Sequence, residues 1–339
     1  MEEVPGTAPR RPATIRDVAR HAGVSVATVS RVLNDIPVVR TEMRDRVREA
    51  IADLGYRPSS MARSLSLGRS QAIGVLAPFF TTPSVVERLR GVSQRAGQRG
   101  YGLMLFDVET PEQRAGAVRD FARPGRLDGL LVISLPLLDA EVEALERDGL
   151  PVVMVDMGHP RVPHVVIDDA HGGELATEHL LARGHRRIGF VGDLDRNPFG
   201  FTSSEQRRAG YRCALRRAGV EAAPELEAHG RHGREEARDL ARGLLDRDDR
   251  PTAIFAASDT QAIGVLEAAH ALGLRVPEDV AVIGFDDIEI AEPLGLSTVR
   301  QPLRQSGACG ADILLAAIAG APARPARLDA LTVVARRTT

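Results

Sequence analysis

Lysine is missing from the sequence: all 44 basic residues among 339 are arginine. That absence excludes a Walker A phosphate loop, a Schiff-base lysine and the ATP-site lysine of a protein kinase, since each needs that amine. Cysteine is nearly as scarce. Cys213 and Cys309 offer neither metal-ligand spacing nor a disulfide framework, and both fall in helix-like stretches that suit buried, reduced thiols. No apolar run approaches a membrane span, and the start MEEVPGTAPRRPA lacks the apolar centre of a signal peptide. G-x-S-x-G, G-x-G-x-x-G and H-E-x-x-H do not occur either. The expectation is a cytoplasmic protein that is not an enzyme and has no cofactor, metal or membrane partner.

What is present is unevenly spread. Charged residues make up 27% and hydrophobic ones 43%, an ordinary globular balance. The length leaves room for a small domain plus one large or two medium ones. Residues 1–70 hold 12 arginines against 8 acids, a net of +4, and the remainder 32 against 38, a net of −6. A basic head on an acidic body suits a nucleic-acid module joined to a ligand-binding body.

In the head, Thr14 precedes IRDVARHAG and can cap a helix, with Asp17 in the capping-box position. Ile15, Val18, Ala19 and Ala22 share one face. Gly23 suits a left-handed turn, and Ser25 can cap a second helix through SVATVSRVLN. A third helix starts at Thr41, turns Val47, Ile51 and Leu54 inward and stops at Gly55. The spacing is that of a helix-turn-helix, whose second helix enters the major groove, although a plain helical bundle has the same pattern. On the first reading Val26 and Ala27 meet thymine methyls, Arg31 forks onto guanine, and Ser25, Thr28 and Ser30 reach phosphates. With Thr14, Asn34, Arg63 and Leu65 these are the candidate DNA contacts. YRPSSMARSLSLGRS has a proline stop at Pro58 and a helical stretch too short to hold alone. It is either a linker or a helix that forms against DNA, with Leu65 as a minor-groove wedge.

TIRDVARHAGVSVATVSRVLN followed by LGYRPSSMARSL resembles the headpiece and hinge helix of the LacI/GalR family of bacterial transcription regulators, from Thr14 to Arg69. The resemblance implies a homodimer, with a tetramer left open, on palindromic double-stranded operator DNA kinked by Leu65. It also implies a small effector, expected to be a sugar, and repression of carbohydrate-utilisation genes. A regulator responding to a nucleobase or similar metabolite is the alternative, and a sugar-binding receptor a more distant one. A receptor would carry an export signal and no basic head.

From Ala72 onward AIGVLA, GLMLF, GLLVIS and PVVMVD read as buried parallel strands separated by helix-length segments. After HVVIDD, the runs RIGFVGD, TAIFAAS and VAVIGFDD repeat the pattern. Two such series predict two doubly wound lobes with a cleft between them. This is similar to the type I periplasmic sugar-binding fold that the family shares, in which the chain crosses back between lobes, with STVRQPL expected as the third crossing. The expected fold class is α/β: a small all-α helix-turn-helix headpiece plus a two-lobed periplasmic-binding-protein-like core of doubly wound parallel sheets. The expected divisions are an extension over 1–13, a headpiece over 14–57, a hinge over 58–70 and a core over 71–339. Lobe 1 takes about 71–168 and 300–326, and lobe 2 about 169–299 and 327–339.

Strand ends carry the chemistry in such sheets. Asp156, Ser258 and Asp286 close strands, and Arg207 lies three residues before Gly210. The resemblance implies that matching positions hold effector hydroxyls or carboxylates, a forked arginine and a carboxylate taking adjacent hydroxyls in pairs. Turn capping is the alternative for Asp156 or Asp286, and Asp259 is expected to cap its helix. Arg207 and Asp286 should share a lobe, each near a strand end facing the cleft. Phe199 and Phe201 either stack on a sugar ring or pack under their loop, with Ser203 just beyond. GRHGREEA departs from the family, many of whose members carry an aromatic residue where His232 stands. His229 and His232 lack a third metal ligand, and their spacing suits solvated surface. In Asp168-Asp169 and Asp286-Asp287 the neighbours should diverge, one of each pair facing the cleft. The effector candidates are Asp156, Phe201, Ser203, Arg207, His232, Ser258 and Asp286.

Overall fold

Thr14 starts the first helix, α1 (Ile15–Ala22), through a full capping box: Asp17 N–H donates to the Thr14 hydroxyl and Thr14 N–H to the Asp17 carboxylate. Gly23 ends it at φ 62°, a conformation that favours glycine. The computed structural model describes residues 11, 13–33, 36–56, 69–121 and 125–339. The chain divides between residues 70 and 71 into two units. In the first, α2 (Val26–Leu33) and α3 (Thr41–Asp53) complete a small bundle. Its core is Val18, Ala19, Ala22, Val29, Val32, Val47, Ala50 and Tyr56, with Ile15, Ile51 and Leu54 packed at the edge.

The second unit begins with β1 (Ala72–Pro78), α4 (Pro83–Gln98), β2 (Gly102–Val108), α5 (Pro111–Phe121), β3 (Gly129–Ile133), α6 (Asp139–Arg147), β4 (Val152–Val155) and β5 (His164–Val166). A second series follows: α7 (Asp169–Ala182), β6 (Ile188–Asp193), α8 (Ser203–Arg217), β7 (Glu227–Gly230), α9 (Arg234–Leu245), β8 (Ala253–Ala256), α10 (Asp259–Ala271), β9 (Ala281–Asp286), α11 (Ala291–Leu294) and β10 (Ser297–Arg300). The tail adds α12 (Leu303–Ile318), β11 (Ala326–Arg327) and β12 (Thr332–Val334). Two six-stranded sheets result, in the orders β11-β5-β4-β3-β1-β2 and β12-β10-β9-β8-β6-β7. All pairings are parallel except that of β12 with β10. Helices cover both faces of each sheet, which is why VVMV and AVIGFD can be apolar almost throughout. GLMLF is different: β2 is an edge strand with Leu105 45% exposed, not the buried strand its composition suggests.

The chain passes between sheets at 167–168, at 301–302 and at 328–331. STVRQPL therefore carries the second crossing, and the third lies between β11 and β12. Small residues let helices meet backbone to backbone in each lobe. A β-carbon at Gly91 of α4 would stand 2.0 Å from the Arg304 carbonyl oxygen, and one at Gly210 of α8 only 1.9 Å from that of Ala170. Alanine at either position would force the helices apart. Cys213 and Cys309 are half-buried free thiols, less enclosed than their helical context suggests. Among the described residues no helix is long and apolar enough to cross a membrane.

Candidate functional site

In the first unit, α2 buries Val29 and Val32 and turns Val26, Ala27 and Arg31 to solvent, Val26 being 41% exposed. Ser25 caps the helix: its hydroxyl accepts from Thr28 N–H at 3.1 Å and lies 2.9 Å from the Thr28 hydroxyl. Ser30 is half-buried. The Thr14 hydroxyl donates to Asp17 at 2.6 Å, so its local task is the cap. These hydrogen bonds hold Asp17 below the usual carboxylate range. The start of α2 thus offers small apolar groups and one guanidinium on a helix held by its apolar underside, a shape and chemistry that suit base edges in a major groove. Asn34, Arg63 and Leu65, and with them nearly all of the expected hinge, lie outside the described residues.

In the second unit, a cavity of about 170 Å³ opens between the two sheets at the C-terminal ends of their strands. Asp156, Phe201, Ser203, Arg207, His232, Ser258 and Asp286 all line it. So do residues that sequence reading passed over, among them Phe79, Arg88, Ser134, Asp193, Gln261 and Gln301.

The site is built twice, once in each lobe. In lobe 1, Arg88 of α4 donates to Asp156, just past β4, and the other Asp156 oxygen accepts from the Ser134 hydroxyl at 2.7 Å. In lobe 2, Arg207 of α8 stands 3.8 Å from Asp286 at the end of β9, and its Nε donates to Asp169 at 2.7 Å. Its Nη1 donates to the Ala257 carbonyl at 2.7 Å, and its guanidinium lies 3.7 Å from the centre of the Phe285 ring. Asp156 and Asp286 both sit at positive φ, 76° and 118°, a strained backbone that turns each carboxylate out of its strand. Gln301, at the second crossing, joins the halves. Its Nε2 donates to Asp286 at 2.5 Å and its Oε1 accepts from Arg88 at 3.3 Å.

Burial sets the electrostatics. It pushes Asp169 up to about 6 against the pull of Arg207, and raises Asp286 in the same way. Burial also works against the Arg207 cation, but Asp169, Asp286 and Asp156 outweigh it. Among the described residues, the buried Nε of Arg88 has no hydrogen-bond partner on this wall of the cavity.

Some expectations hold here and others change. As expected, Arg207 shares lobe 2 with Asp286, but it stands on the second turn of α8 rather than near a strand end. Asp259 does not cap α10: the Ser258 hydroxyl takes Gln261 N–H at 3.2 Å, while Asp259 holds Ile288 N–H and the Thr298 hydroxyl. The adjacent acids diverge, Asp168 capping α7 while Asp169 goes to Arg207, and Asp287 pairing with Arg300 and Arg336 while Asp286 faces the cavity. Phe199 stacks on Phe201 at 5.3 Å and meets Phe79 of lobe 1 edge-on, so the loop both packs and walls the cavity. His229 is half-buried and His232 exposed, and both meet Asp193, His229 at its carbonyl and His232 at its carboxylate. A signal for Arg88 was present: R-x-x-G recurs as Arg88 to Gly91 and Arg207 to Gly210, each on the helix after its lobe's first strand.

Comparison with known proteins follows the same division. Residues 14–59 match the family described as "Bacterial regulatory proteins, lacI family", and residues 177–339 match "Periplasmic binding protein-like domain". The chain is 36% identical over 331 residues to the ribose operon repressor of Escherichia coli (strain K12), spanning 96% of this chain and 99% of that protein. It is 37% identical over 310 residues to the HTH-type transcriptional repressor PurR of Erwinia tasmaniensis, 89% of each. The lac repressor dimer bound to operator and the anti-inducer ONPF aligns with a TM-score of 0.84 at 30% identity, covering 97% of this chain and 99% of that one.

Proposed function

Because this chain belongs to the LacI family and is a DNA-binding transcriptional repressor, we propose that it binds palindromic operator DNA as a dimer under the control of a small molecule in the cleft. Residues 14–57 act as the headpiece, with Val26, Ala27 and Arg31 on base edges and Ser25, Thr28 and Ser30 on phosphates. Residues 58–70 act as the hinge, with Leu65 as its wedge. The protein works in the cytoplasm, beside its operator, and no bond is made or broken.

The observation that carries the effector reading is the mirrored pair of arginine–aspartate groups, Arg88 with Asp156 and Arg207 with Asp286, facing one cavity from two lobes. A ligand touching both favours one arrangement of the lobes, and it can shift that equilibrium only by its differential affinity, typically 1–3 kcal/mol. We take the effector to be a sugar and the regulated genes to serve carbohydrate use. Charge-paired donors and acceptors beside Phe201 suit hydroxyls on a ring, and similarity to a ribose operon repressor points the same way. The stacked Phe199 and Phe201, with the similarity to PurR, favour a nucleobase as the second reading.

Gel-shift titration of the full chain on DNA from upstream of its own gene tests both parts, with D-ribose and then hypoxanthine added. The reading expects a specific complex whose affinity one of the two changes. A complex indifferent to competitor DNA removes the operator assignment, and one indifferent to both compounds removes the sugar and nucleobase assignments.

A further inference from the structure

One wall of the cavity carries a polar group that the arginine pairs do not use. Asp193, at the end of β6, has its Oδ1 3.0 Å from His232 Nδ1, and the same oxygen accepts from Gln261 Nε2 at 3.0 Å. Its own N–H donates to the Ser204 hydroxyl at 2.9 Å. Asp193 is therefore pinned from α8 and α10 and fixes the imidazole in turn. An ionised Asp193 only accepts, so Nδ1 bears a proton whether His232 is charged or neutral, and Nε2 is the nitrogen that titrates. Nε2 makes no protein hydrogen bond among the described residues, and the residue lines the cavity with 31% of its side chain exposed.

The surrounding charges favour the imidazolium. Burial works against it, but the hydrogen bond and charge of Asp193, with Asp286 behind, outweigh burial and the repulsion of Arg207, holding the pKa above the usual imidazole value. Nearby, Arg231 on the histidine's own loop and Arg234 at the start of α9 are engaged by Glu236 and Glu267. A phenyl ring here would offer packing alone and an indole a neutral N–H; this imidazole offers a charged N–H donor, about twice as strong as a neutral one.

We propose that His232, aimed by Asp193, is a specificity-determining residue of the cleft, donating Nε2–H to an oxygen of the effector so that binding takes up a proton. This rests on the cleft being the effector site.

The test is a pH titration of the full chain with 15N-labelled histidine rings, its nine histidines including one signal that His232→Phe removes. The ligand-free His232 pKa should lie above the ordinary value, and Asp193→Asn should lower it. Saturating D-ribose should raise it further, and D-ribose affinity should fall about tenfold as His232 loses its proton, a dependence that vanishes in both His232→Phe and His232→Gln, while His232→Gln keeps part of the affinity at every pH because its amide donates without titrating. Binding that leaves the His232 pKa unmoved overturns the proposal while the effector reading stands. An Asp193→Asn variant with native-like spectra and an unaltered His232 pKa overturns the orienting role. If D-ribose does not bind, hypoxanthine takes its place in the same titration. Failure of both overturns the sugar and nucleobase readings and, with them, this proposal.

Discussion

Arg88→Met removes the guanidinium that neutralises the lobe-1 wall of the cavity. Arg88 and Asp156 keep 3% and 11% of their side chains exposed, so the pair is almost out of water. Methionine fills most of the volume but leaves Asp156 with only the Ser134 hydroxyl at 2.7 Å. Breaking a buried ion pair from one side costs about 3–5 kcal/mol, because a charge is stranded. The cavity beside Asp156 and its remaining hydrogen bond put this case at the low end, about 3 kcal/mol. For a unit of this size that corresponds to a fall in melting temperature of about 6–12 °C. Combining Arg88→Met with Asp156→Asn removes both charges, and the double variant should return to within about 1 kcal/mol of wild type. Urea unfolding of the four proteins in the cycle gives the coupling energy directly. Simple additivity, or a single-variant cost below about 1 kcal/mol, would refute the view that the two residues form one unit.

Arg31→Ala should lose about 1–3 kcal/mol on the correct operator and relax preference at one base pair; uniform weakening on all DNA would make Arg31 a phosphate contact. Leu65→Ala should keep the dimer and the effector response yet weaken operator binding and bending, and unchanged bending would end the wedge assignment. Arg207→Ala or Asp286→Ala should abolish the effector response while dimerisation survives, and calorimetry showing wild-type effector affinity would mean both were misassigned. Burial and Arg183 lower the His179 pKa to about 4, so the stability that its neutral form contributes is present above about pH 6.5 and lost as pH falls toward 4. That loss is about 2 kcal/mol once partial exposure is allowed for. Buried Asp169 and Asp286 act in the opposite sense, so the check is the difference between wild type and His179→Gln across this range, which should open as the solution is acidified.

The headpiece was legible because its signals are local. Thr14 with Asp17, Gly23 and Ser25 each act within one turn of chain, where capping and left-handed geometry depend on neighbouring backbone groups. The two strand series were legible for a related reason, since strands covered on both faces must be apolar along their length. Cap assignment was already less secure. Ser258 and Asp259 are adjacent and both can cap, and the choice fell to Ser258 because β10 and the loop after β9 bring Thr298 and Ile288 onto Asp259.

By itself, then, the sequence determined the three helices of the head, the two doubly wound lobes and the strand ends that carry Asp156 and Asp286, all consequences of periodicity and local hydrogen bonding. Only the tertiary structure decided which polar groups meet. Arg88 finds Asp156 across 68 positions and Gln301 across 213, and Asp193 gathers His232 from the loop after β7 and Gln261 from α10. Nothing in the local chain marks these partners, because a buried charge is satisfied by whatever the packing of remote elements delivers within hydrogen-bond reach.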